Sequence, residues 1–125
     1  MYELELVVEM GIMEVVNNDY LKVLIFIILL DILTGIVKSA VNGRLNSSIG
    51  LIGLLKHILI ITTNIFLVMF SPLFELETVA TSLVLFFLVQ YGISILENWV
   101  SMGLPVPKFL YNMLKEKEEE MGGRM

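Results

Sequence analysis

An aspartate and a lysine lie inside one of the most apolar stretches of this chain, LLDILTGIVKSAVNG at positions 29–43. A carboxylate at the centre of a bilayer costs about 2.5–3.5 kcal/mol on insertion scales. One hydrogen bond between membrane helices contributes only about 0.6 kcal/mol. Asp31 must therefore be protonated, pair with a cation such as Lys38, or face water. Ionisable side chains at this depth indicate a functional site.

Small and polar residues continue from Asp31 along one face of the same predicted helix, because positions four apart share a face. Small residues at this spacing let two helix backbones approach closely in lipid. For Gly35 and Ser39 alone, ordinary packing within the chain explains the pattern equally well. The polar stripe comprises Asp31, Thr34, Gly35, Lys38, Ser39 and Gly43.

The other apolar segments also carry polar atoms. Counting about 1.5 Å per residue, Gln90 lies near Asp31 in depth, and Asn64 lies within about a turn. A bundle of three thin helices has no room for a water-filled lumen, so we expect the polar stripe to form a surface between copies of the chain. Five further residues are predicted at the inner membrane interface: Lys56, His57, Glu97, Asn98 and Trp99. At this depth Glu97 could pair with Lys56.

Catalysis is not indicated by these residue types. The chain has one histidine and no cysteine, and no nucleophile–base set or Gly-rich phosphate loop stands out. No metal-ligand cluster is visible, since Glu97 and His57 lie in different segments. The sequence predicts no enzyme, no cofactor and no metal. A net charge of −5 also argues against nucleic-acid binding.

Composition places these residues in a membrane protein. The chain of 125 residues is 57% hydrophobic and 17% charged, with a mean hydropathy of +0.86, too apolar for a soluble domain of this size. Crossing the hydrocarbon takes about 20 helical residues, and three windows qualify, at about 20–41, 49–70 and 76–96. We therefore predict an all-α membrane protein with three transmembrane helices, forming a single domain over residues 1–125.

Basic residues predict the orientation, because Lys and Arg are enriched on the cytoplasmic side. The second connection, with Glu75 and Glu77, and the N-terminal segment are acidic and are therefore expected outside. Lys22 is the one basic residue that does not fit this orientation. The N-terminus is therefore expected outside and the C-terminus inside. The basic residues of the first connection and the tail are Lys38, Arg44, Lys56, Lys108, Lys115, Lys117 and Arg124.

Two terminal segments flank the spans. LELVVEMGIMEVV (4–16) is too short and acidic to span easily, and an interfacial helix is favoured over a loosely ordered tail. In the cytoplasmic tail (101–125), Phe109, Leu110, Met113 and Leu114 share one face of a predicted short helix. The charge run that follows them is solubilising.

Two runs resemble the phage-lysis and toxin-secretion holins of Gram-positive bacteria and their phages. The first, DILTGIVKSAVNGRLNSSIGLIGLLKH (31–57), contains an Asp followed by Thr-Gly, a Leu-x-Ser turn, and Gly and Lys three apart. The second, SILENWVSMGLPVPKFLYNML (94–114), contains Ser-Ile-Leu-Glu-Asn and then Gly-x-Pro-x-Pro. In order, these motifs cover most of residues 31–114. The N-terminal segment departs from the pattern, since it carries Glu9 and Glu14 where many relatives are more hydrophobic.

The resemblance implies a function. Such holins accumulate in the cytoplasmic membrane of the bacterial host, oligomerise, and open lesions that release a cell-wall-degrading endolysin or, in some relatives, a large toxin. The implied partners are further copies of the chain and the lipid bilayer, with the endolysin as a functional partner that need not touch it. An antiholin and a small ion channel or accessory membrane subunit are the alternatives.

Overall fold

The computed structural model describes residues 2–122, and all of the regular secondary structure in that range is helical. Arg124, one of the basic residues used to predict the orientation, lies outside the described residues. The elements are α1 (Tyr2–Asn17), α2 (Asp19–Val41), α3 (Ser47–Phe70), a 3₁₀ turn (Ser71–Phe74), α4 (Glu77–Ser101) and α5 (Lys108–Gly122).

Three of these helices are long and apolar enough to cross a membrane, which confirms the predicted all-α class and the three candidate spans. Their mean hydropathies are 2.4 for α2, 2.0 for α3 with the 3₁₀ turn, and 2.0 for α4. Helix α3 begins at Ser47 rather than near 49, and α4 continues to Ser101 rather than ending near 96. At 1.5 Å per residue, the 25 residues of α4 exceed the roughly 30 Å of hydrocarbon.

Capping side chains and left-handed residues define the helix ends. The Asn18 side chain accepts a 2.9 Å hydrogen bond from the Leu21 backbone N–H at the start of α2. Asn46 likewise accepts from the first turn of α3. These asparagines satisfy N–H groups that have no partner within the helix. Gly43 (φ +67°) and Gly103 (φ +79°) follow α2 and α4, in the left-handed conformation that ends many helices.

The two ends of the three-helix bundle are packed differently. We call the end at the 71–76 connection the second-loop end, and the end at the 42–46 connection the first-loop end. Helix α2 packs chiefly against α4, and the apolar core occupies the second-loop half. Tyr91 is its last member toward the first-loop end. The core residues of the second-loop half are Leu21, Leu24, Ile28, Val68, Ala80 and Val84.

The terminal helices pack onto this bundle. Helix α1 contacts α3 through Gly11, where an added Cβ would lie 2.6 Å from Met69 Cγ and 2.8 Å from the Met69 carbonyl oxygen. The 4–16 segment is thus helical and seated on the protein, and its position at the headgroup boundary stays a prediction. In α5, Leu114 is buried whereas Phe109 and Met113 are exposed.

Candidate functional site: an intramembrane polar cluster

Asp31 lies near the middle of α2 with only 7% of its surface exposed. It is twelve positions after Asp19, or about 18 Å along the helix. Its carboxylate meets side chains from both other spans. Asn98 Nδ2 on α4 donates to Asp31 Oδ1 at 3.3 Å, and His57 Nε2 on α3 lies 3.8 Å from Asp31 Oδ2. A single carboxylate therefore joins all three membrane-spanning helices.

Asn98 ties α4 to α2 through three contacts. Besides Asp31, its Nδ2 donates to Thr34 Oγ1 at 3.0 Å, and its Oδ1 accepts from Lys38 Nζ at 3.5 Å. Asn98 also lies against Gly35, where an added Cβ would be 3.8 Å from Nδ2. Asn98 thus separates the lysine from the aspartate, so Lys38 reaches Asp31 only through the amide.

His57 ties α3 to the other two helices. Its Nδ1 and the Tyr91 hydroxyl share a 2.7 Å hydrogen bond, and the two rings are 5.4 Å apart. Because the opposite ring nitrogen faces Asp31, the imidazole sits between a carboxylate and a phenol. We call the group of Asp31, Thr34, Lys38, His57, Tyr91 and Asn98 the Asp31 cluster.

Most of the predicted site residues fall into two groups. Asp31, Thr34, Gly35, Lys38, His57 and Asn98 come together within one chain, and Ser39 lines a groove beside them. Three others, Gly43, Lys56 and Gln90, are exposed. Gln90 is exposed and does not join Asp31 within the chain, and its place on a surface between copies stays a prediction. The inward face of α4 carries Ala80, Val84, Tyr91 and Asn98, and Gln90 is about 100° away from Tyr91 around the helix.

Glu97 and Trp99, both predicted at the inner interface, contact the tail that follows α4. The suggested pairing of Glu97 with Lys56 is wrong, because Glu97 Oε1 accepts from Lys117 Nζ of α5 at 3.1 Å. Trp99 is 41% exposed, and its Nε1 donates to the Pro105 carbonyl at 3.0 Å. These contacts hold the tail against the first-loop end of α4.

Asn64 is a second intramembrane polar residue, separate from the Asp31 cluster. It is fully buried, and its Nδ2 donates to the Ile60 carbonyl at 2.8 Å within α3. Its Oδ1 has no hydrogen-bond partner in the described part of the chain. A buried acceptor without a partner costs about 1–3 kcal/mol. Asn64 therefore destabilises the packing of α3 against the other helices.

Two residues near Asp31 were not predicted from the sequence. Tyr91 bonds to His57, and Ser94 lines the same groove as Asp31 and Asn98. They lie with Asn98 at positions i, i+3 and i+7 of α4, and this spacing places all three on one helix face. Once Asn98 was singled out, that spacing was the signal that could have found both residues.

The cluster holds helices together and shows no catalytic arrangement. No group of three or more His, Cys, Asp or Glu side chains within residues 2–122 could hold a metal ion. The Asp31 cluster is a network of polar contacts among a carboxylate, an amide, an imidazole and an ammonium group.

Comparison with known proteins places this arrangement in a family. An uncharacterized protein of Clostridium perfringens is 38% identical over 95 residues, covering 74% of this chain and 70% of the relative. An uncharacterized protein of Halalkalibacterium halodurans is 38% identical over 96 residues, covering 72% and 71%. No solved structure matches the chain. The model of the bacteriophage holin family matches residues 10–119. With three candidate spans and most of its length matched, the chain belongs to the bacteriophage holin family.

Proposed function

We propose that this protein is a holin of the cytoplasmic membrane. It accumulates there as a multi-pass protein, oligomerises, and forms lesions that release an endolysin and so trigger lysis of the bacterial host. Family membership supports the holin function. Basic residues near the first-loop end, including Arg44 and Lys108, support an orientation with the N-terminus outside and the C-terminus inside.

The Asp31 cluster is the observation that carries this proposal, because its energetics are close to balance. Five contacts join the spans around Asp31. At about 0.6 kcal/mol for each interhelical contact, they contribute about 3 kcal/mol. The intramembrane carboxylate costs a similar amount, about 2.5–3.5 kcal/mol. The two contributions nearly cancel, so contacts with other copies can shift the balance from the closed chain to an assembly.

Assembly then follows from concentration. As copies accumulate, mass action favours association. Once a ring or raft of copies admits water, Asp31 and Lys38 become hydrated and the penalty for the carboxylate falls. Each further copy joins a surface that is already hydrated, so opening is cooperative and comes after a delay.

Inducible expression with an endolysin in the same cell tests the function, with culture turbidity as the readout. A holin produces an abrupt drop after a delay, and no drop when the endolysin is omitted or inactive. Two results contradict the proposal. A slow growth defect without lysis indicates an ion channel or accessory subunit, and harmless expression that delays lysis by a second holin indicates an antiholin.

The cargo is tested in the same cells. A lesion wide enough for an endolysin also passes an unrelated cytoplasmic enzyme of similar size. Release of a reporter enzyme together with the endolysin supports a general lesion, through which a large toxin could also leave. Retention of the reporter while the endolysin escapes contradicts it and indicates a dedicated contact.

A further inference from the structure

The half of the bundle near the first-loop end is split. Between α2 and α3 runs a groove of about 460 Å³, whose floor is Ser94 and Asn98 of α4. Its walls include Ile32 and Gly35 on one side and Gly53 on the other. We call this the lateral groove. It begins at the 42–46 connection, through Arg44 and Asn46, and reaches Asp31 and His57 at mid-depth.

Polar groups occur along the whole length of the lateral groove. Arg44 and Asn46 line its mouth, Ser39 and Ser94 its middle, and Asp31 its far end. A water molecule needs about two to four polar partners, and these side chains supply them. The volume of about 460 Å³ is well above what one water molecule needs.

The far end of the lateral groove meets the apolar core. Beyond Asp31, the core residues Leu24 and Ile28 of α2 are fully buried. The polar groove therefore ends at a dry seal, and does not continue to the second-loop end. Within residues 2–122, the two carboxylate oxygens of Asp31 have the Asn98 and His57 contacts described above, although a carboxylate offers about four acceptor positions.

We propose that the lateral groove is an aqueous vestibule, which brings water from the first-loop side of the membrane to Asp31 in a single, unassembled chain. Hydrocarbon chains filling the groove would leave the remaining acceptor positions of the Asp31 carboxylate without hydrogen bonds. Water reaches these positions from the first-loop side, whereas full hydration of Asp31 and Lys38 still requires an assembly of copies. The vestibule stands apart from lysis, and only its cytoplasmic side rests on the orientation proposed above.

The absence of cysteine makes the proposal testable with single cysteines. The first pair is Ile32→Cys in the groove wall and Leu33→Cys, whose parent side chain is 56% exposed on the bundle surface. Leu33 is one residue nearer the first-loop end, so depth alone would favour its labelling. The second pair is Gly53→Cys, where an added Cβ meets nothing within 4 Å, and Leu55→Cys, from an exposed leucine.

The full-length variants are placed in nanodiscs at one chain per disc and treated with a charged, water-soluble thiol reagent. Hydrocarbon excludes both the reagent and the reactive thiolate. We expect Ile32→Cys and Gly53→Cys to react at least about a hundredfold faster than Leu33→Cys and Leu55→Cys. Equal, slow labelling within both pairs would overturn the vestibule. The Gly53 pair keeps the test valid if Ile32→Cys disturbs the fold.

Sealed membrane vesicles then give the side of access. Labelling of Gly53→Cys from the cytoplasmic face only supports the vestibule with the proposed orientation. Labelling from the external face only keeps the vestibule and overturns the orientation. Neither result depends on lysis, so failure of the holin proposal and failure of the vestibule are distinguishable.

Discussion

Replacing Asn98 by leucine removes the side chain that ties α4 to α2. The substitution keeps a similar volume but eliminates the contacts with Asp31, Thr34 and Lys38, at 3.3, 3.0 and 3.5 Å. At about 0.6 kcal/mol each, the three contacts contribute about 2 kcal/mol to the closed bundle. That loss raises the ratio of open to closed chains roughly 30-fold.

We expect Asn98→Leu to cause earlier lysis. Chains in which α4 has separated from α2 are the ones that assemble, and the substitution makes them more numerous. The assay follows culture turbidity after induction with an endolysin present, and immunoblots match the amount of membrane-inserted protein. Asn42→Ala is the matched control, since it removes a single exposed hydrogen bond to Ser101 at 3.3 Å. Exposed contacts of this kind contribute within about 0.5 kcal/mol, so its lysis time should equal that of the unaltered protein.

Two results would refute this reasoning. One is an unchanged or later onset for Asn98→Leu at matched protein levels, which would show that the tie does not restrain assembly. The other is an equal advance in Asn42→Ala, which would show that any loosening of the first-loop end suffices. A properly inserted protein must be verified in both cases by protease protection in membrane vesicles.

Three further substitutions probe other parts of the structure. Gly11→Leu should loosen α1 from α3 by about 1–3 kcal/mol, because the side chain collides with Met69, and limited proteolysis of the N-terminal segment should become faster. Asn64→Leu should raise the thermal midpoint of the purified protein, because it removes a buried acceptor without a partner; an unchanged or lower midpoint contradicts this. Glu97→Gln should release the tail only modestly, since its partly exposed pair with Lys117 contributes at most about 1 kcal/mol, and the effect should disappear at high salt.

The number of spans could be predicted from the sequence because lipid imposes a length and an apolar composition on each helix. The ends of α2 and α4 carry a similar signal, because the left-handed conformations of Gly43 and Gly103 favour glycine. Asp31 stood out because an ionisable side chain at bilayer depth requires partners.

The inward faces could not be predicted in the same way. In water, a helix shows its buried face by an apolar stripe, but these helices are apolar on both their protein and lipid sides. Counting residues along the helix predicts Gln90 at the same depth as Asp31. The orientation of α4 about its own axis turns Tyr91 toward the interior and leaves Gln90 exposed. Depth also suggested Lys56 for Glu97, but Lys117, on a helix beyond the spans, is the actual partner.

Asp31 is the central residue of the Asp31 cluster, and two substitutions separate its charge from its hydrogen bonding. Asp31→Asn keeps a polar side chain for Asn98 and removes the charge, and Asp31→Leu removes both. At matched protein levels with an endolysin present, both variants should change the time of lysis, and Asp31→Leu should change it more. Unchanged timing in both variants would contradict any role of the buried carboxylate in lesion formation.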